Sequence, residues 1–310
     1  MNDACRAMRT CDLLQLARPK HWVKSIVVLL PVVFGLRMTD AVAWLNAGAA
    51  AIAFCFAASF GYIINDIRDR QSDRNHPWKK DRPVAAGTVS VPTAFLEATV
   101  FLILSIVIAW IVSPLVLAFA LAYLFLQMCY TWLAKEKVLL DVICIAIGFV
   151  LRAASGAVAI RVAISPWLFV SMFTICLFMG FCKRYNEAVT IGNSSEARNH
   201  RRTLVAYTPD LLTHLITVSA GIAVVAFLVY GLTESTVRQF GTNYFVYTLP
   251  LVVYAVFRFA MLSMNGHYAD PTDLILRDRP FQITAGLWMA FALMIIVWGP
   301  RVARWMDTLY

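Results

Sequence analysis

The sequence predicts an all-α polytopic membrane protein, a bundle of nine transmembrane helices, and three observations predict it. Hydrophobic residues make up 60% of the 310 and charged residues only 15%, against roughly 45–50% and about 25% in soluble domains. The apolar residues gather into runs of membrane-spanning length, and the basic residues keep almost entirely to alternate loops. This composition excludes a soluble fold and a disordered chain alike. A net charge of +9 would suggest nucleic acid in a soluble protein. Here topology accounts for it, so no nucleic-acid partner is implied.

Crossing a hydrocarbon core of about 30 Å takes about 20 residues. Nine stretches qualify: 22–36, 41–64, 91–112, 115–133, 142–160, 166–182, 211–232, 244–264 and 281–298. The first is short and begins beside Lys24, so it relies on snorkelling or continues N-terminally. None alternates as a barrel strand does. Together they read as a single integral membrane domain spanning 1–310. Arg6, Arg9, Arg18, Lys20 and Lys24 precede the first stretch without a small-residue cleavage site, which predicts an uncleaved first helix. With the N-terminus in the cytoplasm, twenty Lys and Arg fall on that side and five on the other, with Arg152 and Arg258 inside spans. That asymmetry is the positive-inside signature. It predicts a membrane protein whose functional loops face the cytoplasm. The seven cysteines form no C-x-x-C pair and read as small buried apolar groups rather than disulfide or zinc residues.

Most polar residues of the cytoplasmic face lie in two loops, 65–90 and 183–210. If spans 1–4 and 5–8 are comparable halves, these loops are equivalent, and one pocket built from both is expected. In the first loop, Asp66, Asp69 and Asp73 stand at i, i+3 and i+7. If the helix continues through them, all three lie within roughly 60° of arc. Three close carboxylates repel one another unless a cation holds them. Hard oxygen ligands beside phosphate-binding groups suit Mg²⁺ bridging to a substrate's phosphates; a solvated helix end of mixed charge is the alternative. Arg68, Arg70, Arg74, Lys79, Lys80 and Arg82 follow, a set that suits a polyanion held partly by metal and partly by Arg and Lys. His76-Pro77 and Arg82-Pro83 mark the end of the helix.

The second loop opens Lys183-Arg184-Tyr185-Asn186-Glu187. Lys183 and Glu187 are spaced for an i, i+4 ion pair; phosphate and ribose recognition is the other reading. Arg198, Arg201 and Arg202 extend the basic character. Ionisable residues inside spans are functional candidates, and Arg152 is the clearest: it can reach a phosphate or pair with a carboxylate such as Asp141. Gly148 and Gly156 flank it on one helical face, where small residues allow close packing. Arg258 and His214 read as structural. Lys24 either projects towards the pocket or anchors to headgroups, and Lys135 in the short loop after the fourth span is a further substrate-binding candidate.

Asn65-Asp66-x-x-Asp69-x-x-x-Asp73 at the end of the second span resembles the UbiA superfamily of intramembrane prenyltransferases. A narrower resemblance covers nearly the whole chain. Arg18-Pro19-Lys20-x-Trp22-Val23-Lys24, the long form from Asn65 to Gly87, Gly148-Phe149-x-Leu151-Arg152, Ser165-x-Trp167, Lys183-Arg184-Tyr185-x-Glu187 and Leu276-Arg277-Asp278 are similar to the decaprenyl-phosphate phosphoribosyltransferase branch. The resemblance implies Mg²⁺-dependent transfer of 5-phosphoribose from 5-phosphoribosyl 1-diphosphate to a polyprenyl phosphate, for lipid-linked arabinose and cell-surface glycan synthesis. Asp66, Asp69 and Asp73 would hold the metal and serve catalysis. Lys24, Asn65, Arg74, His76, Lys79, Arg82, Lys135, Arg152, Lys183, Arg184 and Glu187 would contact substrates. An aromatic prenyltransferase would carry a second aspartate-rich motif after the sixth span, whereas 183–210 holds only Glu187, Glu196 and Asp210 against five Lys and Arg. An anion transporter is the rival from another class, and a homo-oligomer stays open.

Overall fold

The structure, a computed structural model, describes residues 10–75, 79–191, 207–268 and 271–307. The described residues are helical, and eight helices among them are long and apolar enough to cross a membrane: Ala41–Arg74, Val91–Val112, Pro114–Ala134, Leu140–Ala159, Pro166–Val189, Pro209–Leu232, Tyr244–Met264 and Arg279–Val302. These correspond to the second to ninth expected spans. The first expected span, 22–36, takes a different form. Pro19–Leu29 winds as a 3-10 helix and passes into a single α-helical stretch, Leu30–Phe34. Its sequence, with Pro19 at the start, Pro31 following and a run of β-branched residues, is poor in strong α-helix formers.

Helix starts follow local chemistry. Asp40 caps Ala41–Arg74 by accepting from the Val42 and Ala43 amides at 2.9 and 3.1 Å. Ser90, Ser113 and Thr208 cap the helices that follow them, each with proline in the first two helical positions, where a missing N–H costs nothing. The second span runs well past its apolar part, to Arg74, so Asp66, Asp69 and Asp73 all lie on it. The chain then turns through Pro83–Ala86 and stops at Gly87, whose φ of 79° suits a residue without a side chain.

The chain forms two compact units. One comprises the described residues up to Ala134 together with Leu151–Ala163; the other comprises Lys135–Val150 and the chain from Ile164 onward. In the first, a stripe of small residues on Ala41–Arg74 (Ala43, Ala47, Ala50, Ala53, Ala57) packs with Val28, Val32, Val116, Ala120 and Tyr123. Small side chains let helix backbones approach closely where apolar burial alone gives little drive in lipid. Gly156 shows how closely: a Cβ there would lie 2.0 Å from the Val28 carbonyl oxygen. The second unit has its own core of Val142, Phe178, Phe181, Leu212, Ile216, Phe259 and Leu274. Large apolar side chains such as Trp110, Ile111, Phe125 and Phe257 face outward, as a lipid-facing surface requires.

Candidate active site

In the first unit two carboxylates and two guanidiniums converge at the end of Ala41–Arg74. Asp66, only 2% exposed, accepts from Arg18 Nη2 on Oδ1 at 2.5 Å and on Oδ2 at 2.8 Å. Arg82 Nη1 donates to Asp66 Oδ1 at 3.0 Å and to Asp73 Oδ2 at 2.7 Å, so one nitrogen bridges two carboxylates about two helical turns apart. Asp69, between them in sequence, is half-buried. Arg18 is placed by a chain of contacts. Its guanidinium lies 5.1 Å from the Tyr62 ring centroid. Ser59 Oγ donates to the neighbouring Ala17 carbonyl at 2.8 Å, and Trp22 Nε1 donates to Ser59 Oγ at 3.0 Å. Arg18 itself has φ 53°, ψ 59°, a left-handed conformation unfavourable for a residue that carries a Cβ and doubly so before proline.

The other expected residues of this unit take distinct positions. Arg74 Nε donates to the Ala85 carbonyl at 3.0 Å, tying the helix end to the turn that carries Arg82. Lys79 and Lys24 are half-buried. The Asn65 side-chain oxygen is buried and meets no hydrogen-bond donor among the described residues. Arg68 lies over the Trp132 ring at 4.9 Å. His76 lies outside the described residues, as does 192–206 of the second loop with Arg198, Arg201 and Arg202.

Arg152 corrects one expectation. It donates to Tyr123 Oη at 2.6 Å and sits 4.4 Å above that ring, and Gln127 Nε2 donates to the same oxygen at 2.8 Å. Asp141 is no partner for it. At 1.5 Å per residue the two lie about 16 Å apart along their shared helix, and Asp141 is held elsewhere.

That holding is the centre of the second unit. Asp141, fully buried, pairs with Arg184 Nε at 2.8 Å and accepts from Tyr207 Oη at 2.7 Å. The Leu139 amide donates to Tyr207 Oη at 2.7 Å. Burial and the hydrogen bond to Asp141 push the Tyr207 phenol well above its ordinary range, so it stays a donor. Glu187 pairs with Arg184, one turn earlier on Pro166–Ile191, and Lys183 is half-buried on that helix. Lys135 is buried. Asp278 forms a two-point ion pair with Arg258 at 2.7 and 2.9 Å and caps the last helix through the Phe281 amide at 2.8 Å.

Sequence reasoning treated Arg18 as a topology charge and overlooked Tyr123, Tyr207 and the Asp141–Arg184 pair. Arg18 did carry a signal, as an arginine before proline in the motif at the head of the first apolar stretch. The tyrosines carried none, because a Tyr in an apolar run reads as core.

The acidic group fits a hard divalent cation in kind. Asp66 and Asp73 present oxygens to one cationic point, and Asn65 adds a buried oxygen without a donor. Among the described residues no three His, Cys, Asp or Glu close a metal shell by themselves. An ion held by few protein oxygens and completed by water and phosphate is the usual habit of Mg²⁺.

The model of the UbiA prenyltransferase family matches residues 27–275. The decaprenyl-phosphate phosphoribosyltransferase of Mycobacterium tuberculosis is 30% identical over 286 residues, covering 91% of this chain and 93% of that protein. The protein of the same name from Corynebacterium glutamicum is 30% identical over 292 residues, covering 92% and 86%. Among solved structures, a UbiA homolog from Archaeoglobus fulgidus bound to GPP and Mg²⁺ superposes with a TM-score of 0.70 at 21% identity, covering 92% of this chain and 99% of that one. A family model matched over most of the chain, with relatives alike from end to end, makes this chain a member of the UbiA prenyltransferase family of integral membrane enzymes.

Proposed function

We propose that the protein transfers 5-phosphoribose from 5-phosphoribosyl 1-diphosphate to a polyprenyl phosphate at the cytoplasmic face of a bacterial inner membrane, releasing diphosphate. The observation that carries this reading is the 30% identity, over 91% of the chain, to a protein named decaprenyl-phosphate phosphoribosyltransferase. The charge of the second loop supports it. With five Lys and Arg against three acids, segment 183–210 suits phosphate bound by basic side chains rather than a second metal-binding acidic motif.

In this reading an oxygen of the acceptor phosphate bonds to C1 of the ribose as the C1–O bond to diphosphate breaks, and the diphosphate leaves with the bonding pair. Asn65, Asp66, Asp69 and Asp73 are the residues that would hold Mg²⁺. The ion, when bound, neutralises the charge that grows on the departing diphosphate. The acceptor, a phosphate monoester with a second pKa of about 6, is largely dianionic at neutral pH, so no residue has to remove a proton. His76 is accordingly assigned a hydrogen-bonding part. Lys79, Lys135, Lys183 and Arg184 bind phosphate groups of the two substrates, with Arg184 oriented by Asp141 and Glu187. Glu187 also accepts from ribose hydroxyls. Arg152, clasped to Tyr123, is assigned a packing part. The apolar helices hold the lipid tail.

The test is direct. Detergent-purified protein receives Mg²⁺, labelled phosphoribosyl diphosphate and a polyprenyl phosphate, and label is sought in the lipid phase. A parallel reaction holds a prenyl diphosphate with 4-hydroxybenzoate, and product only there would replace this reading with an aromatic prenyltransferase. Asp66→Ala, Asp69→Ala and Asp73→Ala should each lower phosphoribosyl transfer about a hundredfold or more, the scale of losing one charge-stabilising group.

A further inference from the structure

We propose that Arg18 and Arg82 occupy the metal position in the resting protein, so that divalent metal and diphosphate enter together and neither enters well alone. The inference rests on the metal role assigned above to Asp66 and Asp73.

Three observations carry it. The first is competition for the same lone pairs. Arg18 engages both oxygens of Asp66, while Arg82 Nη1 lies 3.0 Å from Asp66 Oδ1 and 2.7 Å from Asp73 Oδ2. A magnesium ion binds carboxylate oxygen at about 2.0–2.1 Å, so it must replace these guanidinium contacts rather than add to them. The second is layering. The carboxylates are 2% and 5% exposed, whereas the arginine side chains are 20% and 25% exposed. The arginines therefore cover the acids, and a cation coming from water meets guanidinium before it meets carboxylate. The third is strain. Arg18 is held at φ 53° immediately before Pro19, a conformation that persists only where surrounding contacts enforce it. Asp66 and the Tyr62 ring supply those contacts, and release from Asp66 lets the backbone relax.

Charge then dictates the order of events. Two carboxylates with two guanidiniums are neutral as a group. A dication entering alone displaces two cations that have lost their partners and meets their repulsion. A dication entering with diphosphate brings anionic oxygens on which the displaced guanidiniums can form new charge-assisted hydrogen bonds. The arginines thus act as a placeholder that keeps the buried acids compensated between turnovers and lowers the affinity of the free protein for metal.

Equilibrium dialysis of the full-length protein in detergent against radiolabelled Mn²⁺, with and without inorganic diphosphate, tests this without any turnover. Wild-type protein should bind Mn²⁺ weakly by itself and markedly better with diphosphate. Arg82→Gln and, separately, Arg18→Gln should bind Mn²⁺ alone about tenfold more tightly, about a decade for each guanidinium no longer displaced. The same variants should melt lower than wild type in EDTA and recover on adding Mn²⁺, which identifies the metal as the substitute for the lost cation. Tight binding of Mn²⁺ alone by the wild type, or weaker binding by both variants, would overturn the placeholder while leaving the metal role intact. No Mn²⁺ bound by wild type even with diphosphate would overturn both.

Discussion

Gly156→Ala provides the sharpest test of the first unit. The added Cβ would lie 2.0 Å from the carbonyl oxygen of Val28 and 2.8 Å from its carbonyl carbon, where ordinary contact begins at 3.4 Å. The obstacle is the backbone of Val28, itself fully buried, so the 3-10 segment Pro19–Leu29 and the Leu140–Ala159 helix must part by more than an ångström. Overpacking of this kind costs about 1–3 kcal/mol, and a clash with backbone belongs at the upper end. Alanine recovers up to about 1 kcal/mol of helix propensity, leaving a net loss of about 2 kcal/mol. Gly221→Ala is the internal control. A Cβ there meets nothing within 4 Å, so the same substitution should be neutral or stabilising. Thermal unfolding in detergent, followed by loss of the monodisperse chromatographic peak, reads both variants. Because Arg18 immediately precedes the displaced segment, Gly156→Ala should also raise the affinity for Mn²⁺ alone, as Arg18→Gln does. A wild-type melting temperature for Gly156→Ala, or an equal fall in both variants, would refute the packing argument.

Further outcomes follow from the buried polar groups. Tyr123→Phe removes an acceptor shared by Arg152 and Gln127 and should cost about 1–3 kcal/mol, the scale of leaving a buried donor without its partner; Phe125→Leu on the outward face should cost much less, and equal losses would contradict the assigned contact. Asp141→Asn breaks a buried ion pair and should destabilise by about 3–5 kcal/mol, more than Glu187→Gln, whose carboxylate is 26% exposed; paired unfolding measurements rank them. The hydrogen bonds from Arg258, helped by the Phe281 amide and opposed by burial, hold the Asp278 carboxyl below the usual aspartate range. Its folded-state pKa being depressed, the contribution is present above the ordinary value of about 3.9 and is lost as pH falls through the lower folded value. The gap in melting temperature between wild type and Asp278→Asn should therefore be widest near neutrality and close in acid, and a gap independent of pH would count against the pair.

Much of the fold was legible because it depends on short-range pattern. Apolar runs long enough to cross a bilayer became helices at 91–112 and 209–232 with little adjustment, since a backbone in lipid must satisfy its hydrogen bonds within the segment. Asp40, Ser90 and Thr208 cap their helix starts for the same local reason. The i, i+3, i+7 spacing of Asp66, Asp69 and Asp73 was readable as one helical face, and the helix does run on to Arg74. The winding of the stretch 22–36 was not legible, because hydropathy measures length and apolarity but not the effect of prolines and β-branched residues on winding.

What the residues determined by themselves, then, was membrane residence, the succession of helices and the presence of acids and bases near certain helix ends. Which acid meets which base was decided by tertiary structure. Arg18 reaches Asp66 across 48 positions and Arg82 reaches it across 16; Asp141 takes Arg184 from another helix rather than Arg152 from its own. The physical reason is that a buried charge costs several kcal/mol unless compensated. Every burial must find a partner, and only the packing of distant segments settles which one lies within 3 Å.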